Sequence, residues 1–325
     1  MIIEYPSYYE KFRCIGGRCP DTCCAGWEVD VDEASSAYYR SVEGSFGDTL
    51  RAHIREEDGD CFFPLTKEGR CPFLRKDLLC EMYIQLGEES LCQTCTEYPR
   101  YFMDVGNYEQ IDMSLSCMEL GRIFFTECAR IEYIRSENEI PGEEISEEEQ
   151  ETLIEVLALR NRCIALLQDH DGAFLDAWQA VRALVAEAQG LDPNEADAER
   201  SYLKEDFPAL VECMKHLDSL RPEWDALVED YEQKIADPHF LDALPLFMQA
   251  EAGQLDRWFT KLAVYFAYRY FIDTCIDGDI EIELCLVHRS LMMILFMLYS
   301  RWTGQQQLDV SDIIDVAHLF SKEVE

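Results

Sequence analysis

The chain is poor in basic residues. It carries 28 lysines and arginines against 65 aspartates and glutamates, for a formal net charge of -37. Such a surface repels the phosphates of nucleic acids, so nucleic-acid binding is not expected. The same surface attracts cationic partners, including a lysine-bearing polypeptide, although solubility alone is an equally simple reason for the charge.

Several familiar signals are also missing. The N-terminus, MIIEYPSYYEKF, has no basic segment followed by an apolar run, so we expect no secretory signal and a cytoplasmic location. No glycine-rich loop follows a predicted strand, which argues against a Rossmann-type cofactor site. The six histidines show no paired spacing, and no Ser/His/Asp or Cys/His nucleophile arrangement stands out. Hydrolytic chemistry and histidine metal ligands are therefore not expected.

Cysteine, in contrast, is abundant and concentrated near one end. Eleven of the fifteen cysteines lie between Cys14 and Cys128. Disulfides rarely persist in a reducing cytosol, and an odd total leaves at least one thiol unpaired. Closely spaced thiolates otherwise hold zinc or an iron–sulfur cluster. The sequence predicts such a metal centre, with a disulfide framework and unligated thiols as the alternatives.

The predicted ligands come in two groups. The first, C14-x4-C19-x3-C23-C24, contains adjacent cysteines that point in different directions, so a multi-iron cluster fits it better than one tetrahedral zinc. The second includes C92-x2-C95, a spacing common to zinc and iron–sulfur sites. The candidate metal ligands are Cys14, Cys19, Cys23, Cys24, Cys71, Cys80, Cys92, Cys95 and Cys117. We expect one cluster, with the remaining thiols packed or holding a second small site.

The other cysteines have simpler interpretations. Cys61 and Cys128 are as well explained by free buried thiols as by ligands. Four further cysteines lie among apolar neighbours on predicted helices and are expected to pack in the core: Cys163, Cys213, Cys275 and Cys285.

The second half of the chain shows helical periodicity throughout. Ser146 and Glu149 form a predicted capping box, and further helices are expected to open at Phe207-Pro208, at Pro222 and after Pro245. The apolar stretch 284–302 contains charged residues, so a buried helix is predicted rather than membrane insertion. No alternating strand pattern of any length is present.

These patterns predict a mainly α protein in two parts. Residues 1–130 are expected to form a cysteine-rich metal-binding domain with short elements, because ligands there replace a large apolar core. Residues 131–150 are predicted to be an acidic linker, since ten acidic residues and a single base lie between 132 and 155. Residues 151–325 are expected to form an α-helical domain.

The cysteine motifs resemble those of the flagellin lysine N-methylases, a family within the cysteine-cluster proteins that chelate zinc or iron. The matching pieces run in order from residue 12 to residue 117: F12-R-C14, C19-PDT-C23-C24-x-G-W27, C71-PFL, C80-x5-LGEE, C95-x2-YPR100 and SLSC117. The resemblance implies methyl transfer from S-adenosylmethionine to lysine ε-amino groups of flagellin. It also implies a [4Fe–4S] cluster held by the N-terminal cysteines.

Three residues beside the cysteines are further candidates for the site. Arg100 is suited to bind a cofactor carboxylate in bidentate fashion, and the alternative is an ion pair with one of the many acids. Tyr98 is suited to take up a proton or to line the site. Trp27 is a candidate for cofactor binding and for shielding the cluster from water, with plain core packing as the alternative.

Three functions remain open from the sequence. The first is the iron–sulfur lysine methylase implied by the resemblance. The second is a non-catalytic protein in which zinc or iron staples the N-terminal module while the helical half binds a partner. The third, an electron-transfer protein, leaves the large helical half and the acidic charge without a role.

Overall fold

The computed structural model describes residues 1–191, 203–217, 219 and 221–324. The described strands are β1 (Ile2–Pro6), β2 (Val29–Val31), β3 (Arg55–Glu57), β4 (Asp60–Phe63), β5 (Arg100–Val105), β6 (Tyr108–Met113) and β7 (Tyr133–Glu137). The first helices are α1 (Glu33–Ser41), α2 (Gly44–His53), α3 (Glu81–Leu86), α4 (Gln93–Glu97), α5 (Met118–Glu127), α6 (Glu147–Asp169) and α7 (Phe174–Ala188). The remainder are α8 (Leu203–Lys215), α9 (Pro222–Ala236), α10 (Leu244–Ala250), α11 (Ala252–Tyr270), α12 (Thr274–Asp277), α13 (Ile280–Gln305) and α14 (Val310–Glu323). The mainly α fold is confirmed.

Four strands that lie far apart in the sequence form the larger sheet, in the order β5–β6–β1–β7. The pairing of β1 with β6 is parallel, and the other two pairings are antiparallel. Each strand has only five or six residues, too few to produce a recognisable alternating pattern. Strand β7 lies within the stretch predicted to be a linker. A smaller antiparallel sheet has the order β2–β4–β3.

Two separate hydrophobic cores organise the described residues. The larger joins the four-stranded sheet and α5 to the C-terminal helices: the Tyr8 ring lies 5.5 Å from Phe124, and Phe124 lies 5.8 Å from Tyr265. The smaller core lies within residues 24–95 and includes the aromatic rings of Phe63 and Phe73, 4.9 Å apart. The larger core therefore includes both the four-stranded sheet and the helical half. The domain boundaries stay a prediction.

The helices follow the sequence signals with two differences. The Ser146–Glu149 capping box opens α6, and Pro222 is the first residue of α9, as predicted. Helix α8 begins at Leu203 rather than at Phe207-Pro208, so the proline lies inside it. The helix predicted after Pro245 is two helices, α10 and α11, divided at Glu251. The buried carboxylate of Glu251 accepts a hydrogen bond from the backbone N–H of Leu308 (3.2 Å), which is a tertiary contact that no local pattern reveals.

Helix α13 is the centre of the helical half. Residues 290–300 are buried without exception. By length and composition α13 could cross a membrane, but 72% of its most apolar window is buried inside the protein. The prediction of a buried helix over 284–302 is therefore confirmed.

Candidate functional site

The first cysteine motif is held against the C-terminal helix by one carboxylate. Asp21 Oδ2 lies 2.6 Å from Lys322 Nζ, 2.8 Å from His318 Nε2 and 3.4 Å from an Arg221 guanidinium nitrogen. Burial opposes ionisation of this carboxyl, but hydrogen bonds from His318 and Lys322 outweigh it and hold the pKa of Asp21 well below its usual range. Asp21 thus anchors the motif to α14.

His318 had no role in the sequence-based prediction. It lies 297 residues from Asp21 in the chain, so no spacing could have linked the two. Its second ring nitrogen, Nδ1, lies 2.8 Å from the carbonyl oxygen of Ser116, next to Cys117. Helix α14 therefore contacts both the segment that carries the first group and the segment that carries Cys117.

One set of candidate thiols gathers around the first motif. The pKa of Cys19 is raised by burial and by the neighbouring Cys14, and that of Cys23 by Cys24, burial, Cys14 and Cys117. Burial raises the pKa of Cys117 to about 11, with smaller contributions from Cys19 and Cys14. Thiolates influence one another in this way only at short range. Cys14, Cys19, Cys23 and Cys117 form this first set, and the contacts of His318 with Asp21 and Ser116 bring the Cys117 segment to the motif.

A second set lies inside the smaller core. Burial raises the pKa of Cys71 to about 12, and Cys24, Cys80 and Cys92 add to the rise. Burial also raises the pKa of Cys95, after the larger effect of a hydrogen bond to Cys92, and Cys24 and Cys71 contribute again. These five thiols therefore surround one region, with Cys71 and Cys92 buried and the others partly so.

Cys24 stands at the junction of the two sets. Its sulfur lies 4.0 Å from that of Cys23. The hydrogen bond from Cys23, assisted by Thr22, Lys322 and Arg70 against the opposing effect of burial, lowers the pKa of Cys24 to about 7. The adjacent cysteines thus face different sets, as expected for consecutive side chains.

The chemistry of the donors fits a thiolate-bound metal or cluster, since each set offers at least four sulfur atoms. Among the described residues, no three His, Cys, Asp or Glu side chains converge closely enough to hold a single metal ion. All fifteen cysteines are described, and all are free thiols. The metal centre, its ligands and its cofactor identity stay predictions.

The remaining cysteines are placed individually. Cys163 is fully buried, as predicted for core packing, but Cys213 and Cys285 are exposed on α8 and α13. Their helical neighbours suggested burial, and the packing of the helices turns these two positions to solvent. Cys128 is buried, while Cys61 is partly buried and lies 3.3 Å from Ser36 Oγ.

A small cleft opens between the first motif and α14. It has a volume of about 180 Å³. Its lining includes both aromatic and charged residues. The lining residues are Ala25, Gly26, Trp27, Tyr98, Tyr101, Ser116, Arg221, Ser321, Lys322 and Glu323.

Two of the three predicted residues beside the cysteines line this cleft. Trp27 is half-buried rather than core, and its Nε1–H donates to the carbonyl of Cys23 (2.9 Å). Its ring stacks on that of Tyr98 at 6.1 Å. The Tyr98 hydroxyl lies 3.0 Å from Ser116 Oγ, and burial raises the pKa of Tyr98, so this phenol stays protonated at neutral pH.

Arg100 does not line the cleft. Its guanidinium lies over the rings of Tyr9 (5.2 Å) and Phe12 (5.6 Å) and donates to the carbonyl of Glu97 (3.3 Å). In the described part of the chain Arg100 thus contacts aromatic rings and a backbone carbonyl rather than an acid. Its role in binding a cofactor carboxylate stays a prediction.

The fold and the site define a mainly helical protein whose thiol-rich N-terminal segments pack against a C-terminal helix. Residues 143–325, more than half of the chain, match the family described as the FliB lysine N-methylase C-terminal domain, and the chain belongs to this family. The resemblance to lysine N-methylases is confirmed.

Relatives with curated names cover a smaller part of the chain. The lysine-N-methylase of Salmonella typhimurium (strain LT2) is 30% identical over 127 residues, which is 37% of this chain and 31% of that protein. The flagellar biosynthetic protein FliU of Salmonella muenchen is 29% identical over 127 residues, 37% of this chain and 75% of its own length. The chain thus matches about a third of the lysine-N-methylase. No solved structure matches the chain.

Proposed function

We propose that the protein is a cytoplasmic lysine N-methyltransferase that acts on flagellin, uses S-adenosylmethionine and carries an iron–sulfur cluster on its N-terminal cysteines. The observation that carries the proposal is membership of the lysine N-methylase family. The name of the relative FliU, a flagellar biosynthetic protein, supports a flagellar substrate. The net charge of -37 favours encounter with lysine-bearing protein surfaces.

The reaction sets requirements on the substrate. The nitrogen lone pair of a neutral lysine attacks the methyl carbon, the carbon–sulfur bond of the sulfonium breaks, and S-adenosylhomocysteine leaves. An ammonium has no lone pair, so the lysine must give up its proton first. Tyr98 keeps its own proton at neutral pH and is therefore a hydrogen-bond partner rather than the initial base.

The cluster is assigned to the first set of thiols. Two residues that line the cleft are close to this set: Trp27 donates to the Cys23 carbonyl, and Ser116 directly precedes Cys117. Four cysteine ligands suit a [4Fe–4S] cluster, which would supply iron able to exchange electrons. The second set, in the smaller core, is suited to a structural metal, zinc included.

The experiment is a comparison of two cysteine variants of protein purified without oxygen. We expect the wild type to be brown, to contain iron and acid-labile sulfide, and to methylate flagellin in the presence of S-adenosylmethionine. Cys19→Ala is expected to lose colour, iron and activity together. Cys213→Ala, which removes an exposed thiol outside both sets, is expected to keep all three. Full methylation by a Cys19→Ala protein without iron would refute the cluster's role.

The structural-staple function makes a different prediction in the same experiment. The five thiols of the second set lie within a small core, where a bound metal would add folding free energy. A colourless, zinc-containing protein that unfolds on chelation and never methylates flagellin would favour this second function.

A further inference from the structure

One hydroxyl in the cleft has no partner. Ser321, on α14, is 8% exposed, and its Oγ makes no hydrogen bond with any described residue. Leaving a buried hydroxyl unbonded costs free energy, roughly 1–3 kcal/mol. Ser321 is one of the residues that line the cleft, so the unbonded hydroxyl lies beside it.

The residues that line the cleft carry both signs of charge. Arg221 and Lys322 are among them together with Glu323, whose carboxylate accepts from Arg221 Nε (2.8 Å). Positive and negative groups side by side, with the unbonded hydroxyl of Ser321 directly before Lys322 in the chain, complement a ligand that also carries both signs within a few atoms. An α-amino acid has this property, since its carboxylate and ammonium share one carbon.

Three aromatic residues also line the cleft. The stacked rings of Trp27 and Tyr98 face the cleft, and Tyr101 stands at the rim with 48% of its surface exposed. Aromatic faces attract cations within about 6 Å of the ring centroid. A cleft of about 180 Å³ accommodates an amino-acid-sized group rather than a whole nucleoside cofactor.

From these three features we propose that the cleft binds the methionyl end of S-adenosylmethionine, with the adenosine extending outward. The carboxylate faces Arg221 and Lys322. The ammonium faces Glu323 and the Ser321 hydroxyl. The positively charged sulfur lies against Trp27 and Tyr98, on the side of the first thiol set. This assignment rests on the proposed methyltransferase function, which supplies the identity of the cofactor.

Binding to the full-length wild-type protein, measured by titration calorimetry, tests the proposal without requiring turnover. We expect S-adenosylmethionine to bind roughly three- to thirtyfold more tightly than S-adenosylhomocysteine, because only the former has a charged sulfur. Decarboxylated S-adenosylmethionine is expected to bind at least about tenfold more weakly than S-adenosylmethionine, because it has no carboxylate for the two cations. Equal affinities for all three ligands, or no binding to the wild type, would overturn the assignment.

Two variants with matched controls locate the site. Ser321→Ala is expected to weaken the binding of S-adenosylmethionine roughly three- to tenfold. Ser290→Ala, at another buried helical serine, should leave this affinity unchanged. Trp27→Leu is expected to weaken it roughly three- to thirtyfold, whereas Tyr38→Leu, at an exposed aromatic residue on α1, does not. Wild-type affinity in both Ser321→Ala and Trp27→Leu contradicts the proposal.

Fluorescence gives an independent readout. Trp27 is half-buried beside the cleft, while the other four tryptophans are at most 5% exposed. The cofactor should therefore quench wild-type fluorescence, and Trp27→Phe should remove that response even where calorimetry still detects binding. Undiminished fluorescence quenching in Trp27→Phe would argue against binding of the cofactor in the cleft.

The two proposals fail separately. If the protein methylates flagellin and the cleft variants bind S-adenosylmethionine as tightly as the wild type, only the assignment of the cofactor to the cleft is refuted. Cofactor binding that depends on Ser321 and Trp27, in a protein that methylates no lysine, refutes the methyltransferase function and leaves the binding site standing.

Discussion

Glu283 illustrates how its surroundings decide the chemistry of a single residue. It lies in the first turn of α13 and is 4% exposed. Burial, a hydrogen bond with Asp277 and the nearby carboxylates of Asp273 and Asp279 together raise the pKa of Glu283 to about 8. Its sequence context, an acid in a helical first turn, suggests an ordinary surface carboxylate. Only the packing of α13 against the preceding turns creates the shift.

This residue predicts a pH dependence of stability. The folded state holds the Glu283 proton up to about pH 8, whereas the unfolded chain releases it near 4.5. The stabilisation by protonated Glu283 is therefore fully present below about pH 4.5 and is lost as the pH rises through about 8. Over that range the free energy of unfolding falls by at most about 1.4 kcal/mol per pH unit. Urea denaturation of Glu283→Gln should show a flatter decline of unfolding free energy between about pH 5.5 and about pH 8.5 than the wild type.

The control for this prediction is Glu281→Gln, a change of an exposed acid on the same helix. It should keep the wild-type slope. An identical slope in the wild type and Glu283→Gln would show that Glu283 titrates as an ordinary carboxyl.

At the same scale, the residues proposed for the site were only partly predictable. Trp27 and Tyr98 were found because they follow cysteines in the motifs, and both line the cleft. Arg100 was named by the same reasoning, yet it stacks on Tyr9 and Phe12. Proximity in sequence to a ligand identifies a neighbourhood, while the direction of each side chain depends on the fold.

At the scale of elements, the contact between the first cysteine motif and α14 organises the candidate site. The Asp21 carboxylate accepts a hydrogen bond from Lys322 and lies beside His318 and Arg221. Lys322 also donates to the Thr22 carbonyl (3.1 Å). The short segment has little apolar surface of its own to bury. Its position therefore depends on these polar contacts rather than on packing.

Asp21→Asn tests this anchoring. The amide keeps the shape but removes the charge that Lys322 and Arg221 face, so we expect faster hydrogen exchange in residues 14–27 and a loss of roughly 1–3 kcal/mol of stability. Iron content of anaerobically purified protein should fall as well, if the motif holds the cluster. Asp30→Asn, at an exposed acid on β2, is the matched control and should change none of these. Wild-type exchange rates in Asp21→Asn would contradict the anchoring role.

At the scale of the whole molecule, a buried ionic network connects the N-terminal strand to the helical half. Arg160 of α6 is fully buried and pairs with Glu4 of β1, which is 2% exposed. Tyr108 donates to Glu4 (2.7 Å), and the Arg160 guanidinium lies 4.6 Å from the centre of the Tyr268 ring. Gln110 also accepts from Arg160. The sheet and the helices are thus joined by charge as well as by the shared core.

Removing one partner of this network should be costly. Arg160→Met leaves the buried Glu4 carboxylate with only the half-exposed Arg135 as a cationic partner, and we expect a loss of up to roughly 3–5 kcal/mol in the free energy of unfolding measured with urea. Adding Glu4→Gln should restore part of the loss, because no isolated buried charge then remains. Arg162→Met, at an exposed arginine on the same helix, should be nearly neutral. If Arg160→Met were as stable as the wild type, the network would not contribute to the stability of the fold.

The sequence by itself determined the helical class, the caps that open α6 and α9, the burial of α13 and the family. These depend on local signals: side-chain periodicity, capping residues and short motifs. The tertiary structure alone decided that the Cys117 segment lies against the first motif, that Cys24 packs against the smaller core while Cys23 is exposed, and that His318 and Lys322 meet Asp21. Each of these contacts joins residues that are distant in the chain or depends on the direction of a side chain. Such contacts arise from packing free energy summed over the whole molecule, which no local pattern records.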